Sequence, residues 1–358
     1  MPFSNLIDGN WVFDGSREDS FFRGGDGDDF LVGGTGNDRL IGGNGNDLII
    51  GGGFDDGYFL HVDWYGDLSF FAPVFLSSPY DFEGGDTLIG GAGDDTLVGG
   101  GWQDGLVADD GYYNVGEEVN SEFIILVYPS IAPENVIWAG SGDDLVAGGS
   151  FTDIIGGGSG NDEIYANEGA DYVYGSSGDD SIWGDDGNDE LWGGSGNDVI
   201  FGGSGADDIG GGSGHDDLVG GSGIDVIFGG SGDDNIEGGS SGDALFGGSG
   251  FDVIWGDDGD DDIYGGTGDD TLIGGGGADW FYFQDGHGDD NIDDFDVYED
   301  KLVFTGIDDI GNYDDLDFYS FETVIDGVFG TLIETSPQDS IFLAGISYDD
   351  LLDVEVIF

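Results

Sequence analysis

The sequence predicts an all-β chain wound into a parallel β-roll, a β-solenoid of short strands joined by glycine-rich turns. Three observations predict it. A nine-residue pattern, G-G-x-G-x-D-x-U-x with U apolar, runs without insertion from Ala139 to Tyr282. Its sixth position is Asp in all sixteen copies, and its eighth is Val, Ile or Leu in fifteen and Phe281 in the last. Glycine supplies 78 of the 358 residues, a density that defeats any helix.

Each part of the repeat has a physical reason. Six turn residues are followed by three strand residues, and the centre of a strand faces opposite to its neighbours. Position eight therefore points inward, and positions seven and nine point out. Glycines at positions one, two and four are expected to supply positive φ, which other residues resist. Asn167, Asp185 and Asp257 stand where glycine is usual, and Asn and Asp tolerate left-handed backbone best. Two repeats make one turn of the roll, so repeat n stacks on repeat n+2 at the ordinary strand spacing of ~4.8 Å. A flexible acidic linker would not keep an aliphatic residue at one position in nine.

Along the chain, residues 1–23 form an N-terminal cap. Four repeats occupy 24–59, with Asp29, Asp38, Asp47 and Asp56 at position six. An insertion, 60–80, precedes three repeats at 81–107 with Asp86, Asp95 and Asp104. A second insertion covers 108–138. The main roll, 139–283, carries Asp144, Asp153, Asp162, Asp171, Asp180, Asp189, Asp198, Asp207, Asp216, Asp225, Asp234, Asp243, Asp252, Asp261, Asp270 and Asp279. Residues 284–358 form a C-terminal cap, which protects the open strand edge from association.

Charge narrows the chemistry. Four Lys and Arg against 78 Asp and Glu give a formal charge of -74. Nucleic acid and anionic lipid both need a basic face, so neither is a partner. Such a charge opposes a compact state unless counter-cations are built in. Stacking brings each position-six carboxylate close to its counterpart one turn away, where like charges repel unless a cation lies between them. Calcium suits that place, because it takes six to eight oxygen ligands and Asp carboxylates plus turn carbonyls supply them. The 23 position-six aspartates are therefore the candidate metal ligands. Pairing n with n+2 in the three tracts predicts seventeen calcium sites, which would leave the loaded protein near -40. Phe151 at position four and the shifted glycine of GGSSGD at 238–243 should weaken some of them. Ligand carboxylates must be ionised, so a depressed folded-state pKa and acid unfolding are expected.

GGSGNDVIF and its neighbours resemble the RTX (repeat-in-toxin) nonapeptide. The resemblance covers about two thirds of the chain, and it implies a parallel β-roll with calcium in the turns and export by a type I secretion system. The terminus, Asp353 to Phe358, is similar to the uncleaved export signals of such proteins. An extracellular or cell-surface location follows.

Other chemistries find little support. The absence of cysteine excludes disulfides and thiolate sites. The segment MPFSNLIDGNW lacks a cationic and an apolar region, so no cleavable leader is expected, and no apolar run reaches bilayer length. EF-hand loops are missing. His61, His215 and His287 are isolated, with no HExxH helix. The GxSxG string at Gly238–Gly242 lies inside a repeat rather than between strand and helix. Identical calcium turns do not provide the differing environments that acid/base pairs need. The chain is read as a non-enzyme.

Two function classes remain. One is a calcium-dependent structural protein of the cell exterior: a surface-layer, matrix or filament subunit. The other is an adhesin or carbohydrate binder for extracellular polysaccharide. The insertions, rich in aromatics such as Trp64, Phe70, Phe71, Phe75, Tyr128 and Trp138, either cover a roll edge or mediate self-association. Position nine predicts two outward aromatic ladders, Tyr165–Trp183–Phe201 and Phe228–Phe246–Tyr264–Tyr282. Such ladders read as cross-strand stacking or as a binding patch. Ice binding would need threonine rows at turn position three, which is mostly Ser.

Overall fold

The structure, a computed structural model, describes residues 11–13, 21–34, 39–52, 60–62, 68–70, 87–92, 96–98, 135–149, 151–307, 310, 319–351 and 354–358. It divides into two compact units, Met1–Ile155 and Gly156–Phe358. The aspartates at 38, 56, 86, 95 and 104, most of both insertions with Trp64, Phe71, Phe75 and Tyr128, and Asp353 lie outside the described residues.

In the first unit, Trp11–Phe13 and Phe21–Arg23 pair in parallel with Phe30–Gly34 and Arg39–Asn44. The pairing then passes over both insertions. Arg39–Asn44 pairs with Thr87–Ala92, which pairs with Val136–Ser141; Leu48–Gly52 pairs with Thr96–Val98, which pairs with Leu145–Ala147. Val136–Ser141 begins inside the stretch that the sequence assigns to the second insertion, and Trp138 is a position-nine residue of the roll. Within the first insertion, Leu60–Val62 and Leu68–Phe70 form an antiparallel pair.

The second unit holds two parallel sheets built from alternate repeats. One runs Glu163–Tyr165, Ser181–Asp186, Val199–Ser204, Asp217–Ser222, Asn235–Ser240, Val253–Asp258, Thr271–Ile273 and Asp289–Ile292. The other runs Tyr172–Ser177, Glu190–Ser195, Asp208–Ser213, Val226–Ser231, Ala244–Ser249, Asp262–Thr267, Trp280–Gln284, Lys301–Thr305 and Glu355–Ile357. The register is the predicted one, two repeats per turn: Val199 faces Asp217, and Ile200 faces Leu218. Position eight points inward throughout, from Ile164 to Leu272, and every one of these side chains is buried.

Two expectations need correction. Most roll strands span six residues rather than three, because positions one to three of the next repeat continue the ladder, as in Val199–Ser204. Position-one glycines also lack positive φ. They face inward, and a Cβ on Gly193 would lie 2.3 Å from Oδ2 of Asp198, so glycine there leaves room for the carboxylate, although Ala139 and Ala166 are accommodated at the same position. Left-handed backbone belongs to positions two and four, as at Gly194 (φ 114°) and Gly196 (φ 133°). Asn167, Asp185 and Asp257 adopt it as expected, and so do Ser176 and Ser241.

Beyond Tyr282 the turns lengthen, so Thr271 faces Asn291 and Trp280 faces Lys301. The first sheet then accepts Ser340–Ala344 in parallel and closes with an antiparallel hairpin, Val328–Glu334 against Ser320–Ile325. Asp326 and Gly327 both have positive φ, the conformation of a two-residue hairpin turn. A short helix, Tyr348–Leu351, precedes the final strand.

Candidate metal centre

Position six is the last turn residue before each strand, which places its side chain at the mouth of the roll interior. The eighteen described candidate aspartates are all buried. In the second unit they form two columns. Asp162, Asp180, Asp198, Asp216, Asp234, Asp252 and Asp270 make one, and Asp171, Asp189, Asp207, Asp225, Asp243, Asp261 and Asp279 the other. Within each column, Oδ1 of one aspartate accepts the backbone N–H of the aspartate one turn earlier, as Asp216 Oδ1 does from Asp198 at 2.8 Å. Position five clamps the turns in the opposite sense: Asp179 Oδ1 accepts the N–H of Asn197, one turn later, at 2.8 Å.

The second carboxylate oxygen behaves differently. The Oδ2 atoms of Asp180, Asp189, Asp198, Asp207, Asp216, Asp225, Asp234, Asp243, Asp252, Asp261 and Asp270 are buried and meet no hydrogen-bond donor. Asp29 and Asp153 differ, accepting N–H groups on Oδ2 from Gly25 and Gly149. An unpaired buried carboxylate oxygen is costly, and a row of them demands a counter-charge. Burial pushes Asp189, Asp198, Asp234 and Asp270 up to about 7, and Asp180, Asp207, Asp243, Asp252, Asp261 and Asp279 up to about 6. The N–H bond from the neighbouring turn opposes that rise, and adjacent carboxylates reinforce it at most of these positions. Without a cation these carboxyls are therefore raised, because desolvation outweighs one hydrogen bond, whereas the depression expected from the sequence belongs to carboxylates that hold calcium.

These residues fit calcium. The donors are hard oxygens, their orphan lone pairs recur once per turn, and glycine at position one keeps the space beside each Oδ2 open. Among the described residues no three acidic or histidine side chains converge on one point. The ligand set that fits is thus one of carboxylates from stacked turns completed by main-chain carbonyls.

Sequence reasoning missed three residues that occupy position six. Asn135 occupies position six of a degenerate repeat, and its N–H and side-chain amide both reach Asp153 Oδ1. Asp290 and Asp300 extend the two columns into the cap, accepting the N–H groups of Asp270 and Asp279 on Oδ1 at 3.0 Å. Their spacings of 20 and 21 residues break the nonapeptide register, although the local strings GDDNI and EDKLV preserve an aspartate two before an aliphatic.

Both aromatic ladders are present. Tyr165, Trp183 and Phe201 stack with centroids 4.5 and 6.1 Å apart, and Phe228, Phe246, Tyr264 and Tyr282 at 4.9, 4.5 and 4.1 Å. Their faces are occupied by one another. Trp192 of the second sheet lies over Gly210, where a Cβ would sit 2.4 Å from two ring carbons. Ser240, the centre of the GxSxG string, ends a roll strand and donates weakly to the Gly221 carbonyl.

A profile of four copies of the RTX calcium-binding nonapeptide repeat matches residues 23–58, 80–111 and a series of overlapping blocks from 134–155 to 255–290. No curated protein matches the sequence. Among solved structures, the extracellular lipase LipA from Serratia marcescens aligns over 63% of this chain at 19% identity with a TM-score of 0.30. The chain spans 45% of that lipase's length. A hyperactive, Ca2+-dependent, beta-helical antifreeze protein from an Antarctic bacterium aligns over 78% of this chain and 86% of its own at 16% identity, with a TM-score of 0.25.

Proposed function

The chain belongs to the RTX calcium-binding nonapeptide-repeat family, and from that premise we propose that it is a secreted structural protein of the cell exterior, a surface-layer, matrix or filament subunit that folds and assembles on calcium. The observation that carries the calcium part is the row of buried, donor-less Oδ2 atoms in the columns. We place cations between successive aspartates, several per column, with the seventeen sites counted from the repeats as the upper expectation. Extracellular modules bind calcium at ~10⁻⁴–10⁻³ M, so a chain of this kind stays unfolded in a calcium-poor cytoplasm, passes a type I exporter, and folds outside. A repeat roll of this family is a structural rather than a catalytic fold.

Assembly draws support from the cap. Phe321, Val324, Ile325, Val328 and Phe329 are all exposed on the hairpin whose outer strand, Ser320–Ile325, ends the first sheet. Exposed apolar side chains on a sheet edge invite pairing with another copy. The insertions remain the second candidate contact. The ladders favour polysaccharide less, since stacking consumes the ring faces that sugars would use.

Sedimentation and electron microscopy of the calcium-loaded protein test the reading. Higher-order particles should form with calcium and disperse in Val324→Ser/Phe329→Ser or in Trp64→Ala while calcium-dependent folding persists. A monomer at all concentrations, with binding to a glycan array, would replace the structural reading by the adhesin one.

A further inference from the structure

At the end of the first column the roll changes the partner of its carboxylate. Asp290 keeps the column geometry on one oxygen, accepting the Asp270 N–H on Oδ1. Its Oδ2, the atom that lacks a donor in the column from Asp180 to Asp270, lies 2.6 Å from Nδ1 of His287. The other ring nitrogen lies 2.7 Å from Oγ1 of Thr335, in the turn between the last two cap strands of that sheet. All three side chains are buried, His287 to 2% exposure. The ring also rests edge-on against Phe283, and its own carbonyl accepts the Gly268 N–H.

We propose that His287 takes at Asp290 the place that a cation takes in the body of the roll, so that this terminal rung holds no metal and is tied to the cap instead. The inference rests on the reading of the column aspartates as calcium ligands. Two features of the molecule support it. The imidazole approaches the one oxygen that would otherwise be orphaned, and it bridges that oxygen to a cap residue 48 positions away. The second column ends by the same logic with a different donor: Asp300 Oδ2 accepts the backbone N–H of Asp296 at 2.7 Å. Both columns therefore finish on a carboxylate whose second oxygen is satisfied by protein. An end-stop of this kind suits the last rung, because the strand stacked beyond it sets the apolar Ile341 opposite Asp290 and brings no further carboxylate to complete a coordination shell.

Calcium stoichiometry of the full chain, measured by equilibrium dialysis, tests the proposal directly. Asp252→Asn, in the body of the column, should lower the number of bound ions, whereas Asp290→Asn should leave it unchanged. A loss with Asp290→Asn equal to that with Asp252→Asn would make Asp290 a ligand and overturn the end-stop. A wild-type chain that binds no calcium would instead sink the underlying ligand reading. His287→Ala should lower the hydrogen-exchange protection of residues 319–351 in saturating calcium about tenfold, the effect of one lost hydrogen bond to a carboxylate. His287→Asn, whose amide can donate from the place of Nδ1, should recover most of that loss. Protection in His287→Ala equal to wild type would also overturn the proposal; if His287→Ala fails to fold, the Asp290→Asn count still decides.

Discussion

In the repeat tract a six-residue strand such as Val199–Ser204 buries one aliphatic side chain, Ile200, and one glycine, Gly202. In the cap, the five residues Lys301–Thr305 bury Leu302, Val303 and Phe304, and Ser340–Ala344 buries Ile341, Phe342 and Leu343. The same two sheets thus pass from a core one aliphatic residue thick to one filled by aromatic and branched chains, with Phe281 against Phe295 and Phe283 against Phe304. Apolar burial scales with the area removed from water, while ordering costs accrue for every residue. A nonapeptide that contributes one aliphatic residue and several glycines cannot offset its own ordering by burial. Its buried carboxylates make matters worse until a cation joins them. The cap has no such deficit.

Removing calcium is the strongest way to break that comparison. At pH 7.5 in chelator, the amides of the long repeat tract should lose hydrogen-exchange protection, and most of the far-ultraviolet β signal should vanish. Cap amides in Val328–Glu334 and Ser340–Ala344 should be the last to go. Loss of both regions at one common calcium concentration would show that the cap depends on the roll's ions too.

Acid comes next, and the sign of its effect depends on whether calcium is present. Burial places column carboxyls such as those of Asp180, Asp198 and Asp270 at about 6 to 7, above their unfolded values. A group with a raised folded pKa adds stability that is full below the unfolded pKa and lost as pH rises through the folded one. In chelator, therefore, lowering the pH from 7.5 to about 4.5 should restore roll structure. With calcium present, the same protonation should weaken binding as pH falls from 7 to 5, because protons and cations compete for one set of oxygens. Circular dichroism across both series checks the two limbs, and a chelated chain that stays unfolded at every pH would contradict the column assignment.

Glycine substitutions sharpen the contrast at single residues. A Cβ on Gly196 would lie 1.8 Å from the Gly178 carbonyl in a left-handed turn, so Gly196→Ala should cost ~2–5 kcal/mol in saturating calcium. Gly286, in a cap turn, has φ 82° but no atom within 4 Å of its missing Cβ, and Gly286→Ala should cost only ~1–2 kcal/mol. Denaturant titration of both variants provides the comparison. The smallest effect belongs to the outer face: Tyr264→Ala removes two stacked contacts and should cost ~0.5–1.5 kcal/mol beyond the lost area. A larger loss would mean that the ladder, rather than the columns, braces the sheet.

The period, the inward aliphatic at position eight, the stacking of alternate repeats and the columns of aspartate were all legible in the sequence. Each is a local rule repeated many times, and repetition makes a weak local signal decisive. Even the left-handed Asn167, Asp185 and Asp257 could be read, since their side chains tolerate that backbone. What the tertiary structure alone decided is where each carboxylate oxygen finds its partner. Position-one glycine proved to be a spacing device, because the carboxylate that crowds it lies five residues on and turns back into the core. The sign of the pKa shifts depended on burial, which no charge count conveys. The ends of the columns depended on contacts absent from the repeat: Asp290 and Asp300 sit out of register, and His287 meets Thr335 across 48 residues of chain. A periodic sequence specifies the body of a roll because every turn answers to its neighbours; its termini have a neighbour on one side only, and their chemistry is settled by whatever distant segment folds back to complete them.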